Sequence, residues 1–149
     1  WREQSVRLAG TIGLSGPIPR QTVYEDTGGP FFLDTGGHRP DPIDDDLALW
    51  IDTPTGLVVC VGCAHAGLVN TLLHVQRLNG GRRVRAVIGG FHLVNADQKR
   101  LDRTIEALQA LAFDEIVPCH CTGEAATRAL VAAFGERCRP GAAGMRCTY

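Results

Sequence analysis

Short apolar runs alternate with stretches of helical periodicity in the second part of this chain. The runs cover residues 57–61, 84–88 and 116–117, are rich in valine and isoleucine, and are typical of parallel strands buried on both faces. After each run, apolar residues recur every three or four positions, as in a helix packed on a sheet. These stripes are Leu68-Leu72-Val75-Leu78, Leu101-Ile105-Leu108-Leu111 and Ala126-Leu130-Val131-Phe134. The pattern predicts the order β-α-β-α-β-α, followed by a last strand at residues 145–148.

Turn and capping residues mark the ends of these predicted helices. The first helix is expected to end at residues 79–81, Asn-Gly-Gly, and the second to begin near Asn95 or Asp97. The third is expected to begin near Thr122. Right-handed crossovers then place the carboxyl ends of all three strands on one edge of one sheet. Open α/β sheets bind their ligands at this edge.

Residues 1–56 lack this repeat and are rich in Gly, Pro and Asp. Strands are predicted at residues 6–11 and 47–52, with a short strand near 31–33 and loop elsewhere. A loop this long inside a compact domain usually carries function or covers something, so we expect it to lie over the site or a neighbouring subdomain. The prediction is a single α/β domain over residues 1–149, irregular to residue 56 and built of βα repeats over 57–149.

Composition excludes several classes of protein. The chain has 149 residues, 44% of them hydrophobic, and a formal charge of −1, which suits one domain with an adequate core. There is no basic excess for binding nucleic acid, no apolar stretch approaching the roughly 20 residues that span a membrane, and no signal-peptide pattern. We therefore expect a cytoplasmic protein. Since Trp1 is not an initiator methionine, a piece cut from a longer protein is one expectation.

Three histidines each follow one of the apolar runs: His65, His92 and His120. Because neighbouring strands lie about 4.8 Å apart, side chains from adjacent strand ends can converge on one ion, with Zn–N distances of about 2.1 Å. The repeat predicts a shared metal site, although a single histidine in such a turn is more often a hydrogen-bonding group at a helix end. His38, in a loop, and His74, inside the first helix, are expected to be surface or packing residues.

The six cysteines need a choice between disulfide, metal and packing. Cys63 is the one expected to face the site, whereas Cys60, inside a strand, reads as a buried apolar residue. A zinc knot from Cys60, Cys63, Cys119 and Cys121 is the alternative, but it is disfavoured if these segments are extended. Alternation would turn Cys60 away from Cys63 and would put Cys119 and Cys121 on the side that His120 does not occupy. Cys138 and Cys147 are expected to be structural.

Backbone donors are predicted at the same edge. Helices that begin near Ala66 and Thr122 direct unpaired N–H groups towards it, which favours an anionic group such as phosphate or carboxylate. Thr122 and Gly123 are therefore predicted to bind substrate.

Three motifs resemble the later motifs of the metallo-β-lactamase fold superfamily. They are LVVCVGCAHAGLVN at 57–70, VIGGFHL at 87–93 and PCHCTG at 118–123, and they are most similar to the branch that contains the dihydropterin and ribofuranosylaminobenzene phosphate synthase of methanopterin biosynthesis. SGPIPR at 15–20, Tyr24-Glu25 and DDLAL at 45–49 also match the middle region of that branch. The resemblance covers residues 12 to 148 and implies the second half of a four-layer αββα sandwich.

The resemblance implies roles for individual residues. His65 and His120 would be metal ligands, and His92 a third ligand or a proton-transfer group. Cys63 stands near the place of an acidic bridging ligand, so it would be a ligand or line the pocket. Arg20 would hold a substrate phosphate through its planar guanidinium, with a surface salt bridge as the alternative.

One family motif is missing from the sequence. His-x-His-x-Asp-His occurs nowhere in the 149 residues, and His38 followed by Asp41 does not reproduce it. With that half present, the resemblance implies one or two Zn, Mn or Fe ions and a metal-activated water. Without it, we expect at most one ion, weakened affinity and an exposed sheet edge that invites pairing with another copy or with a complementing N-terminal half.

Three function classes are considered. The first is a metal-dependent hydrolase-like enzyme or synthase, inactive as this fragment alone, in which a metal-bound hydroxide attacks an ester or phosphoester of a small, phosphorylated substrate and His92 transfers protons. The second is a non-catalytic domain that binds a metal or an anion and associates with a partner supplying the missing motif. Redox chemistry at Cys60 and Cys63 is a third, disfavoured by the strand geometry.

Overall fold

The computed structural model describes residues 4–149, and these form one six-stranded sheet with its strands in chain order. The strands are β1 (Val6–Ala9), β2 (Ile12–Leu14), β3 (Ala48–Thr53), β4 (Gly56–Val61), β5 (Val84–Gly90) and β6 (Glu115–Cys119). The helices are α1 (Leu68–Leu78), α2 (Gln98–Leu111) and α3 (Glu124–Phe134), with 3₁₀ turns at His120–Thr122 and Gly135–Arg137.

The direction of the strands changes at β4. Strands β1 to β4 pair antiparallel with their neighbours, whereas β4, β5 and β6 are parallel and are connected by α1 and α2. The predicted β-α-β-α-β-α order is therefore confirmed. None of the helices within residues 4–149 combines the length and apolarity needed to cross a membrane.

The parallel strands form the centre of the apolar core. Leu57 and Val59 of β4 and Val87 of β5 are fully buried, as unbroken apolar runs covered on both faces require. The helices contribute the stripes seen in the sequence, including Leu72 of α1 and Leu130 of α3, both fully buried. This packing fixes the positions of the three strand ends and therefore of the loops that follow them.

The N-terminal part differs in detail from the prediction. Residues 6–11 were expected to form one strand, but Gly10, with φ +28°, begins a turn that divides them into β1 and β2. The short strand near 31–33 reduces to a single bridge between Phe32 and Pro40. It does not extend because the Phe31 N–H donates to the Gly29 carbonyl and the Arg39 N–H to the Asp34 carboxylate.

The strand predicted at residues 145–148 is wrong, since this part of the described chain forms no strand. The preceding segment makes one parallel bridge, from Cys138 to Ile116 of β6. The pairing ends there because Pro118 of β6 has no N–H to donate. The Gly141 N–H still donates to the Pro118 carbonyl at 2.9 Å, but the return hydrogen bond cannot form. The chain therefore passes along β6 without adding a seventh strand.

The helix ends follow the capping signals, with one exception. Asp97 accepts a hydrogen bond from the Arg100 N–H and caps α2, and α1 ends before Asn79, as predicted. The helix expected near Thr122 starts instead at Glu124, because residues 120–122 form the 3₁₀ turn. This difference changes which side chains meet at the sheet edge.

Candidate metal centre

The carboxyl ends of β4, β5 and β6 lie side by side, and the loop after each one carries a histidine. The backbone connects the loops, since the Gly90 N–H donates to the carbonyl of Gly62 at 2.9 Å and the Val94 N–H to that of Cys121 at 3.2 Å. Two loops contain a non-glycine residue in the left-handed region, Ala64 with φ +50° and His92 with φ +49°. Such conformations are costly and cluster at functional sites, where they set the direction of neighbouring side chains.

Cys63, His120 and Cys121 form a tight group of metal-ligating atoms. Their two thiol sulfurs and one ring nitrogen all lie within 4.8 Å of one another, and Cys63 Sγ is 3.2 Å from His120 Nε2. Within residues 4–149 this is the single group of three or more such side chains that meets this spacing. We call these three residues the thiol–imidazole cluster.

Cys121 belongs to the cluster, although Cys63 was the one cysteine expected to face the site. An extended chain would separate Cys121 from His120, but β6 ends at Cys119 and the chain enters the 3₁₀ turn. Successive side chains then lie about a third of a turn apart rather than on opposite sides. Cys119, still on the strand, instead directs its thiol to the Val117 carbonyl at 3.5 Å. The glycine at 123, which permits an abrupt entry into α3, is the sequence signal that could have indicated the turn.

Gly90 leaves space for the thiol–imidazole cluster. A Cβ at this position would lie 2.5 Å from Cys121 Sγ and 2.5 Å from His120 Cε1. Because the φ of Gly90 is not positive, its backbone conformation does not require glycine. A glycine is needed here because the cluster side chains lie so close to its backbone.

His65 and His92 form a second pair at the same edge. Their ring centroids are 4.4 Å apart, and the Phe31 ring lies 5.5 Å from that of His65 and 6.0 Å from that of His92. The long N-terminal loop therefore covers this edge, as predicted. Neither histidine belongs to the close group of three ligand atoms, so their assignment as ligands stays a prediction.

His92 is buried, and neither of its ring nitrogens has a hydrogen-bond partner among the described residues. Burial lowers the pKa of His92, and electrostatic repulsion by the neighbouring His65 and Arg100 side chains lowers it further, while the backbone of Thr27 and the Asp26 carboxylate oppose this. The ring is therefore neutral at pH 7. A buried ring with two unsatisfied nitrogens is poised to take a ligand or a proton.

Acidic side chains of the chain itself accept hydrogen bonds from the N–H groups at the start of α1. The prediction that these N–H groups bind a substrate anion is therefore wrong. The Ala66 N–H donates to Asp46 at 2.8 Å, and the Val69 and Asn70 N–H groups both donate to Glu25 at 2.9 Å. Burial raises the pKa of Glu25 against these hydrogen bonds, and it raises that of Asp46 in the same way. Because two carboxyl groups of the chain already use these donors, the helix start is not available to a substrate anion.

Glu25→Ala is expected to destabilise the fold by about 2–3 kcal/mol, because it leaves two buried N–H donors of α1 without acceptors. Glu124→Ala is the matched control, since Glu124 begins α3 but pairs with Arg128 on an exposed surface, where an ion pair is worth less than about 1 kcal/mol. Urea unfolding of both variants measures the difference. Equal losses would show that Glu25 does not anchor the loop to α1.

The remaining predicted substrate residues have structural contacts. The Arg20 guanidinium donates to the carbonyls of His65, at 2.7 Å, and Pro42, and forms no ion pair within the described residues, unlike the salt bridge considered from sequence. Thr122 is buried, and its hydroxyl accepts from the Phe91 N–H at 3.1 Å. Gly123 lies against Val94, which a Cβ would approach to 2.8 Å. All three residues therefore help to hold the loops in place, and their substrate roles stay predictions.

Comparison with known proteins identifies the fold. No protein-family model matches the chain. In Methanocaldococcus jannaschii, 7,8-dihydropterin-6-methyl-4-(beta-D-ribofuranosyl)-aminobenzene-5'-phosphate synthase is 38% identical over 108 residues, which is 72% of this chain and 37% of that protein. The uncharacterized protein MJ0448 of the same organism is 31% identical over 121 residues, or 81% of this chain and 44% of that protein.

A solved structure agrees with these relatives. The crystal structure of Tm1679, described as a metal-dependent hydrolase of the beta-lactamase superfamily, superimposes with a TM-score of 0.88 at 30% identity and covers all of this chain. The chain belongs to the metallo-β-lactamase superfamily. The predicted resemblance to the synthase branch is also confirmed.

This member of the superfamily spans 37% and 44% of its two curated relatives and 57% of the Tm1679 chain. Which half of the relatives it matches stays a prediction.

The superfamily implies a metal ion, and the donors at the sheet edge fit one. Thiolate and imidazole suit zinc and other borderline or soft ions, and a tetrahedral zinc site separates its donor atoms by about 3.3–3.8 Å. The three atoms of the thiol–imidazole cluster lie within 4.8 Å of one another, with one pair at 3.2 Å, so small side-chain movements suffice. The unsatisfied nitrogens of His92 provide a further place for a ligand.

Proposed function

We propose that this chain forms part of the active centre of a metal-dependent, hydrolase-like enzyme. The observation that carries the proposal is the presence of two groups at one edge of the sheet: Cys63 Sγ lies 3.2 Å from His120 Nε2, and the His65 and His92 rings lie 4.4 Å apart. His65, His120 and Cys63 are the proposed ligands, with His92 as a third imidazole ligand or a proton carrier. The description of Tm1679 as a metal-dependent hydrolase supports this assignment.

The ion would be zinc, manganese or iron. When bound, it supplies Lewis acidity and lowers the pKa of water near an ester or phosphoester centre. This chain's own residues then orient the ligands. Asp46 accepts from the Ala66 N–H through one oxygen, and its other oxygen lies 4.0 Å from His65 Nδ1, so it is placed to orient this ring.

His92 suits proton transfer because it is neutral at pH 7 and buried next to His65. Burial lowers its pKa, so the ring accepts a proton during the reaction instead of carrying one beforehand. The Phe31 ring lies beside both rings, 5.5 Å from that of His65 and 6.0 Å from that of His92. These features favour hydrolysis of a substrate held against the edge, with His92 as general base or acid.

Arg20 is the proposed contact for a substrate phosphate. Two of its five N–H groups are used by the carbonyls of His65 and Pro42, which hold the guanidinium beside the first histidine. The remaining donors are free to bind an anion. The name of the synthase relative includes a 5'-phosphate, which supports a phosphorylated small molecule as the substrate class.

Metal retention and hydrolysis test the proposal. The purified 149-residue chain is incubated with Zn²⁺, dialysed and measured for metal, and then assayed with bis(4-nitrophenyl) phosphate. We expect about one retained ion per chain, and hydrolysis that a chelator removes once a segment carrying the missing His-x-His-x-Asp-His motif is added to the assay. A retained ion without hydrolysis after that addition would favour the alternative function, a non-catalytic metal-binding domain that associates with a partner supplying the motif. Failure to retain any transition metal would overturn both functions.

A further inference from the structure

Two cysteines accompany His120 where the sequence predicted only one. Cys63 comes from the loop after β4 and Cys121 from the turn after β6, so loops on either side of β5 supply the two thiols. We propose that both sulfurs bind the metal together with Nε2 of His120, making a two-sulfur, one-nitrogen site that selects Zn²⁺ over Mn²⁺ and Mg²⁺. This inference rests on the proposed function and adds a ligand and a class of metal to it.

The chemistry of the donors carries the selectivity. Thiolate is a soft ligand that favours zinc, copper(I) and cadmium, whereas Mn²⁺ and Mg²⁺ prefer carboxylate, carbonyl and water oxygens. On binding, the S–H bond of each thiol breaks, one S–metal bond forms at each sulfur, and the two protons pass to solvent. The three donors of the cluster fill three positions of a tetrahedral site and leave the fourth to His65 or to a water molecule.

The surroundings are arranged for these donors. The Cys121 thiol donates to the Cys63 carbonyl at 3.7 Å, which holds the two loops in register. Gly90 of β5 lies beneath the cluster, and any larger residue would occupy the space that Cys121 Sγ and the His120 ring now use. The absence of a side chain at Gly90 therefore provides the space that the ligand atoms of the cluster occupy.

The other cysteines lie elsewhere and provide a control. Cys119 directs its thiol to Val117, and a Cβ on Gly141 would lie 2.5 Å from its sulfur, so Cys119 packs against the C-terminal segment. Cys119 precedes His120 as directly as Cys121 follows it. Cys119→Ser and Cys121→Ser therefore each replace one sulfur by oxygen at a residue adjacent to His120, but only Cys121 belongs to the cluster.

Cobalt substitution tests the proposal without relying on activity. The chain is titrated with Co²⁺ under reducing conditions, and we expect a thiolate-to-cobalt charge-transfer band in the near ultraviolet that Zn²⁺ abolishes and excess Mn²⁺ does not. Cys63→Ser and Cys121→Ser are expected to lose about half of the band each and to weaken binding at least tenfold. Cys119→Ser should retain the full band. Gly90→Ala, which leaves every ligand in place, should weaken Co²⁺ binding by blocking the cluster.

The outcomes separate this inference from the proposed function. Co²⁺ binding without a charge-transfer band would overturn the two-thiolate site and leave a histidine-based metal centre intact. Equal loss of the band in Cys119→Ser and Cys121→Ser would also overturn it, as would unchanged binding in Gly90→Ala. Failure to bind either Co²⁺ or Zn²⁺ would overturn both proposals. Circular dichroism of each variant establishes that the fold is retained before its metal binding is compared.

Discussion

Replacing both His65 and His120 by alanine is expected to reduce retained metal from about one ion per chain to background. The two residues come from different loops, so the double variant removes an imidazole from the His65–His92 pair and another from the thiol–imidazole cluster. His65 is partly exposed and His120 is exposed, so neither substitution removes much buried apolar contact. Elemental analysis of the dialysed protein measures the loss.

His74→Ala is the control, because it removes an imidazole that is not a proposed metal ligand. His74 lies within α1, and its Nε2 is 3.3 Å from the Ser15 carbonyl, away from the loops that follow the parallel strands. We expect its metal content to equal that of the parent chain. Loss of metal in His74→Ala, or full retention in the double variant, would show that the ion is held by different residues.

Periodicity predicted the part of the fold that has long-range regularity. Residues 57–61 and 84–88 could be placed on parallel strands because continuous apolar runs are needed where both faces of a sheet are covered. Once the strands and crossovers were known, the handedness of the connections placed His65 and His120 at the same edge. This argument needs no side-chain detail, which is why it held.

What the sequence could not predict depends on local turns and on contacts between distant residues. Alternation along an extended chain predicts Cys121 away from His120, but residues 120–122 form a 3₁₀ turn, which no periodic pattern indicates. The start of α1 was interpreted as an anion site because nothing in its own residues reveals that Glu25 and Asp46 reach it from 44 and 20 positions away. Long-range contacts of this kind leave no periodic signal.

The proposed ligands are positioned by local backbone conformations. His120 and Cys121 depend on a turn of three residues, and Cys63 on a loop in which Ala64 takes a left-handed conformation. A metal site assembled from such loops depends on the strands keeping their register. One constraint on that register lies between β4 and β5 at Gly89, which pairs with Val61 and contributes backbone geometry rather than a functional side chain.

Gly89→Ala is expected to destabilise the fold by about 3–5 kcal/mol. Gly89 is paired with Val61 of β4 and has φ +138°, a conformation that L-residues rarely adopt. A Cβ there would lie 2.0 Å from the Val61 carbonyl oxygen, so two paired strands would have to separate. Since a domain of this size is stable by only about 5–15 kcal/mol, the unfolding midpoint in urea should fall sharply.

Gly62→Ala provides the control, because this glycine lies in the loop directly after β4 yet has open space where the Cβ would be placed and no positive φ. Its unfolding free energy should stay within about 0.5 kcal/mol of the parent chain, as for an ordinary surface substitution. Equal stability of the two variants would mean that β4 and β5 can shift apart without cost. In that event the loop geometry that brings Cys63 to His120 could not be maintained by strand register, and the metal centre would have to be assembled by the ion itself.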